Sequence, residues 1–253
     1  MIKLLRNISL GLLVCLCSKQ VAFAGEGMRS GLVRQSVTSQ PLVVIPYEAV
    51  RGGMIERYKI GQYPTDDNAR YKPPSGFIRV DAENVDTRVS NHFTLGQFLC
   101  KQRSGWPKFV VLDHRLLIVL EATIELLATT VPRQDKPVML KALHIMSGYR
   151  TPAYNKSLGN VARSRHIYGD AADVFVDADN NGVMDDLNAD GVSDIADAHW
   201  MIKLIENAPP GSALFSFRGG LSAYAANEYH GPFVHIDARG THARWTQPDP
   251  RRL

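Results

Sequence analysis

The chain has 253 residues, 45% hydrophobic and 21% charged, with 29 lysines and arginines against 25 aspartates and glutamates and a formal net charge of +4. That composition excludes the highly charged, weakly apolar profile of an intrinsically disordered chain. So small an excess of positive charge does not point to an electrostatic nucleic-acid surface.

Lys3 and Arg6 open a short basic region, an apolar run follows at 8–17, and Ala22-Phe23-Ala24 supplies a small-x-small cleavage pattern. Residues 1–24 therefore read as a signal peptide processed after Ala24. The run is too short to span a bilayer as a helix, and no later stretch approaches membrane-spanning length. Val14 and Leu16 stand before the two cysteines, where a lipoprotein signal wants a small residue. The expectation is an exported chain with no integral membrane segment once the signal is removed. Loss of Lys3, Arg6 and Lys19 brings the charge down to +1. Cys15 and Cys17 leave as well, so Cys100 stands alone, without an internal disulfide. In its Phe98-Leu99-Cys100 setting it reads as a small buried apolar residue rather than a nucleophile.

Residues 25–40 are polar and read as a flexible lead. Residues 41–86 alternate short apolar runs with turn formers and read as a β-rich N-terminal element, either packed on the main domain or separate from it. Its strands are expected at 42–45 and 77–80, its turns at 51–53 and 71–76. The main domain is expected at 89–247. Val110, Leu116, Leu117, Leu120, Ile124 and Leu127 recur at helical spacing and predict a helix over 109–128. Residues 137–145 read as a strand leading into Ser147-Gly148-Tyr149-Arg150. Further strands are expected at 174–176 and 233–236, and a helix at 198–207. The fold class that follows is α+β, a small antiparallel sheet with flanking helices.

The segment 164–173 reads S-x-H-x-x-G-x-A-x-D, and a strand-borne H-x-D follows at 235–237. His166 presents an imidazole from a loop, Gly169 permits a tight bend, and Asp173 opens a strand. Asp173 and His235 can then project from neighbouring strands towards His166, because strands hold ligands more rigidly than loops do. Two imidazoles and one carboxylate suit zinc with a fourth position left for water, which is the mark of a catalytic rather than a structural site.

These residues resemble the zinc D-Ala-D-Ala carboxypeptidases and related peptidoglycan endopeptidases, which share their fold with the hedgehog signalling domain. The resemblance takes in Asn91-His92-Phe93-Thr94-Leu95, Ser147-Gly148-Tyr149-Arg150 and the 164–173 motif. It continues through Gly219-Gly220, Tyr224, the run 233–240, and Ala243-Arg244-Trp245. It implies a hedgehog/DD-peptidase-like fold, a catalytic Zn²⁺ held by His166, Asp173 and His235, and amide hydrolysis in the peptide part of peptidoglycan. Arg150 takes the place of the family's substrate-facing arginine, set to neutralise an oxyanion or clamp a terminal carboxylate. Some relatives carry a glutamate three residues before the last ligand, where Pro232 stands here. His230, with Glu228 behind it, is then the expected general base. Asp237 is expected to orient a histidine ligand. A periplasmic or secreted monomer of the bacterial cell envelope is the resulting expectation. The alternative is a non-catalytic, metal-stabilised module that binds the cell wall.

An acidic insertion at 177–197 lies between the ligands. Asp186, Asn188, Asp190, Asp194 and Asp197 fall at positions 1, 3, 5, 9 and 12 of a twelve-residue calcium loop with Gly191 at position 6. The pattern repeats nine residues earlier with Asp177, Asp179, Asn181, Asp185 and Asn188. A structural Ca²⁺ bracing the segment between the ligands is expected. A calcium-dependent adhesion protein is a further, weaker reading, because a single such array sits inside a metal-site domain.

Overall fold

A computed structural model of the chain describes residues 41–131 and 136–246. The signal peptide and polar lead expected at 1–24 and 25–40 lie outside the described residues.

Strand β1 (Val44–Pro46) runs into a 3-10 turn and a short hairpin, β2 (Met54–Ile55) with β3 (Tyr58–Lys59). The strand expected at 77–80 is β4 (Gly76–Val80), and it pairs antiparallel with β1 on one side and β5 (Lys108–Val110) on the other. The helix predicted from residue 109 thus begins later, as α1 (His114–Thr130). Phe109 and Val110 are buried in the small sheet, and the Asp113 carboxylate accepts from Arg115 N–H and caps the helix start. Because β5 lies beyond residue 89 and pairs with β4, the N-terminal element shares a sheet with the main domain. Tyr58, Ile60 and Phe77 are buried in one core cluster with Phe93, Phe98 and Leu120.

Residues 137–145, read as one strand, are divided between α2 (Lys136–Ala142) and β6 (Leu143–Ser147). Pro137 falls in the first turn of α2, where a missing N–H costs nothing, whereas in a ladder it would remove a donor. Met139 and Ala142, three apart, are both buried. After α3 (Pro152–Ser157), capped by Thr151, come β7 (Ala171–Val176), α4 (Ile195–Glu206), β8 (Gly220–Tyr224), β9 (Phe233–Asp237) and β10 (Ala243–Thr246).

These form a five-stranded sheet in the order β10-β8-β9-β7-β6. The four strands β6, β7, β9 and β8 are antiparallel, as expected, but β10 is parallel to β8. The chain reverses after β9 and lands on the far side of β8, so β10 runs the way β8 does. Helix α4 packs on β8 and β9, and α1 packs on α2 and α4. No helix among the described residues is long and apolar enough to cross a membrane.

Candidate metal centre

His166 sits in a 3-10 turn (Arg165–Tyr168) that ends at Gly169. Gly169 has φ +75°, and a Cβ there would collide with the Val111 carbonyl, so glycine is required both by the backbone and by the space. The bend delivers the chain into β7, where Asp173 stands directly opposite His235 of β9. Cross-strand partners share a face of the sheet, and the pair faces His166. His166 Nε2 lies 3.2 Å from Asp173 Oδ1 and 3.2 Å from His235 Nδ1. His235 Nδ1 lies 2.9 Å from Asp173 Oδ1. All three side chains are buried.

The outer nitrogen of each ring is committed. His166 Nδ1–H donates to the Gly148 carbonyl at 2.7 Å, and His235 Nε2–H donates to Asp237 Oδ2 at 3.1 Å. That assignment leaves lone pairs on His166 Nε2 and His235 Nδ1, both aimed at a carboxylate oxygen. Three acceptors at such distances repel one another unless a proton or a cation lies among them. Without a metal, burial pushes the His166 imidazole down. Burial would lower His235 too, but its hydrogen bonds to Asp173 and Asp237 outweigh it and raise the ring to about 9. Burial likewise pushes Asp173 up, yet His166, His235 and Arg150 hold it well below the usual carboxylate range. Two neutral nitrogens and one ionised oxygen, preorganised by their outer partners, fit Zn²⁺ with a position left open.

The outer partners are themselves fixed. Asp237 accepts from Gly220 N–H at 3.0 Å and from Arg239 Nε at 2.7 Å. A Cβ on Gly220 would strike this carboxylate, which explains the glycine in β8. Ser222 stands opposite His235 on β8, its hydroxyl buried and without a protein partner among the described residues. The Trp245 ring lies 5.2 Å from that of His235. Neither the role of Arg239 nor that of the Gly148 carbonyl was predicted; the Asp237-x-Arg239 spacing is the signal that points to the former, and nothing in the sequence points to the latter.

Of the expected catalytic residues, Arg150 and Asp237 bind the ligands directly, whereas His230 and Glu228 make no hydrogen bond or ion pair to them among the described residues. Arg150 Nη2 binds Asp173 Oδ2, and its Nε donates to Ser147 Oγ at 2.9 Å. The guanidinium thus takes the second carboxylate oxygen and leaves Oδ1 for a cation. His230 donates from Nδ1 to the Gly231 carbonyl at 2.8 Å and accepts at Nε2 from Asn227 Nδ2 at 2.9 Å. Glu228 is exposed on the same loop.

In the acidic insertion, Asp177, Asp179 and Asp185 each bring a carboxylate oxygen within 4.8 Å of the others. Asp177 is buried and accepts from Asn181 N–H at 2.9 Å and Gly182 N–H at 2.8 Å. The second loop differs: among the described residues Asp186, Asp190, Asp194 and Asp197 form no such group. Asp186 accepts from Gly191 N–H at 2.8 Å and Asn188 Oδ1 from Asp190 N–H at 2.8 Å. Asp197 accepts from Leu187, Asn188 and Asp194 N–H groups, the last as part of a capping box that starts α4. The carboxylate expected to close the calcium loop is therefore engaged with backbone.

Residues 91–197 match the family model for Peptidase M15. No curated protein and no solved structure matches the chain. The matched span contains Arg150, His166 and Asp173, and the sheet brings in His235 from beyond it. The part of the chain from Asn91 to Asp197 is thus similar to Peptidase M15, a zinc D-Ala-D-Ala carboxypeptidase-like family.

Proposed function

We propose that this protein is an exported zinc peptidase that hydrolyses peptide bonds in peptidoglycan stems or cross-links, as a carboxypeptidase or an endopeptidase. The observation that carries the reading is the convergence of His166 Nε2, Asp173 Oδ1 and His235 Nδ1, three acceptors within 3.2 Å of one another in a buried site. Zinc in such a set lowers the pKa of a bound water towards neutrality and polarises a scissile carbonyl. Gly148 and Asp237 hold the two rings in the tautomers that such a cation needs, and Arg150 fixes the rotamer of Asp173. His230, on the wall of the adjoining groove, is the residue proposed to take and return the proton, at Nε2 once that atom gives up its hydrogen bond from Asn227 Nδ2. The basic, apolar and small-x-small pattern of residues 1–24 supports export.

The test is a digest of purified peptidoglycan by zinc-loaded residues 25–253, read by mass spectrometry, with His166→Ala as control. Loss of a terminal alanine or conversion of dimers to monomers, with the intact site only, is the expected result. No product from protein carrying one zinc per chain would favour the second reading, a metal-stabilised wall-binding module. That neither His230 nor Glu228 hydrogen-bonds to a ligand among the described residues is the observation on that side. For the insertion we propose a structural Ca²⁺ at Asp177, Asp179 and Asp185; added calcium is expected to raise the melting temperature of zinc-loaded protein.

A further inference from the structure

A groove of about 630 Å³ opens beside the metal centre, with Ser147 and Arg150 in its wall. That is the size of a ligand site. Four consecutive residues of β6, from His144 to Ser147, line it. Side chains of a strand alternate between faces, so what four successive residues share is the strand's edge. β6 is an edge of the five-stranded sheet and, among the described residues, pairs only with β7. An unpaired edge of this kind is a template for another extended chain. Ile145, Phe175 and Met184 give the groove apolar walls.

The charges in the groove are of one sign. Lys101 and Arg150 line it, and among the described residues no aspartate or glutamate does. Arg150 is committed to Asp173, whereas Lys101 is exposed and makes no ion pair with the described residues. The acidic insertion contributes only Gly182 and Met184 to this wall, and His144 Nε2 donates to the Asp177 carbonyl at 3.1 Å.

We propose that the groove takes an extended acidic peptide that pairs with the free edge of β6 and presents a side-chain carboxylate to Lys101, with the bond to be cut lying at the Arg150 end. This rests on the peptidase reading of the site and adds a substrate preference to it. Lys101 is then a specificity residue that acts on ground-state binding.

The experiment uses zinc-loaded residues 25–253 and two synthetic stem peptides that differ only in a side-chain carboxylate or its carboxamide. For the unsubstituted protein, kcat/KM is expected to favour the acid form roughly threefold to fivefold, in KM rather than kcat, as for an exposed ion pair. In Lys101→Met the ratio should fall to about one, and in Lys101→Glu it should invert, with zinc content and melting temperature as folding controls. Peptides N-methylated at successive amides should lose affinity at every second position, because an edge pairs with alternate amides. An acid preference that survives Lys101→Met, or indifference to N-methylation at every position, would overturn the proposal. If neither peptide is cut, the same pair is compared in binding by calorimetry. A Lys101-dependent acid preference there would uphold the groove assignment while removing the peptidase reading.

Discussion

The Asp237 carboxylate is fully buried, and it stays ionised because it is surrounded by donors. Burial pushes it up, but hydrogen bonds from His235 and Arg239 hold it below the usual carboxylate range. It fixes the tautomer and the plane of the His235 ring, and such outer partners typically contribute tenfold to a hundredfold in metal affinity. Asp237→Asn keeps the volume and weakens the acceptor, so zinc affinity measured by chelator competition should fall by roughly that factor. An unchanged affinity would remove the orienting role. A pH signature follows from the neighbouring ring. His235 is raised to about 9 in the metal-free protein, above its ordinary value of 6.5. A histidine raised on folding stabilises fully below the unfolded pKa, and that contribution is lost as pH climbs through the folded one. Metal-free protein is therefore expected to lose stability between about pH 6.5 and 9. Zinc needs the unprotonated nitrogen, so the stabilisation it adds must grow across the same window. Melting temperatures with EDTA and with zinc should draw apart as pH rises. A constant gap would mean that zinc displaces no proton from this ring.

Among the elements, the 3-10 turn that carries His166 is too short to hold its own geometry and is gripped from outside. Tyr63 O–H donates to the Ile167 carbonyl at 2.8 Å, and the Tyr149 hydroxyl lies 3.2 Å from that of Tyr63. Arg165 pairs with Asp170 and donates to the Arg70 carbonyl at 2.8 Å. Tyr63→Phe removes a buried donor and strands both the carbonyl and the Tyr149 hydroxyl, at a cost of about 1–3 kcal/mol. A melting temperature lower by several degrees, together with weaker zinc binding, is the expected result. Wild-type zinc affinity would confine Tyr63 to packing. This grip was not legible in the sequence, because 104 residues separate Tyr63 from Ile167. The ligand triplet was legible, since Gly169 and a following apolar strand fix where Asp173 points. What no local pattern carries is the register that sets Asp173 against His235. β8 escaped for a related reason: Gly220-Leu221-Ser222-Ala223-Tyr224 has little strand propensity of its own and is extended by its neighbours β9 and β10. The run at 137–145 was ambiguous in period, and Pro137 was the unused signal for helix first.

At the scale of the whole molecule, the Peptidase M15 match begins at residue 91, yet the described fold does not. β4 is the strand that pairs with β5, and Tyr58, Ile60, Phe77 and Val80 are almost wholly inaccessible within the shared core. Deleting residues up to 88 would take β4 from β5, remove the Tyr58 ring that lies 5.6 Å from that of Phe109, and remove Tyr63 from the metal-bearing turn. Losing a single buried aromatic side chain typically costs about 3–5 kcal/mol, so losing several exceeds the roughly 5–15 kcal/mol that holds a domain folded. Residues 41–253 should therefore melt in one cooperative transition, whereas residues 89–253 should show none, bind a hydrophobic dye and fail to retain stoichiometric zinc. Circular dichroism melts and metal analysis of the two chains decide it. A cooperative, zinc-binding 89–253 would mean that residues 41–88 cover a core that holds without them, and that the grip of Tyr63 on the metal-bearing turn is dispensable.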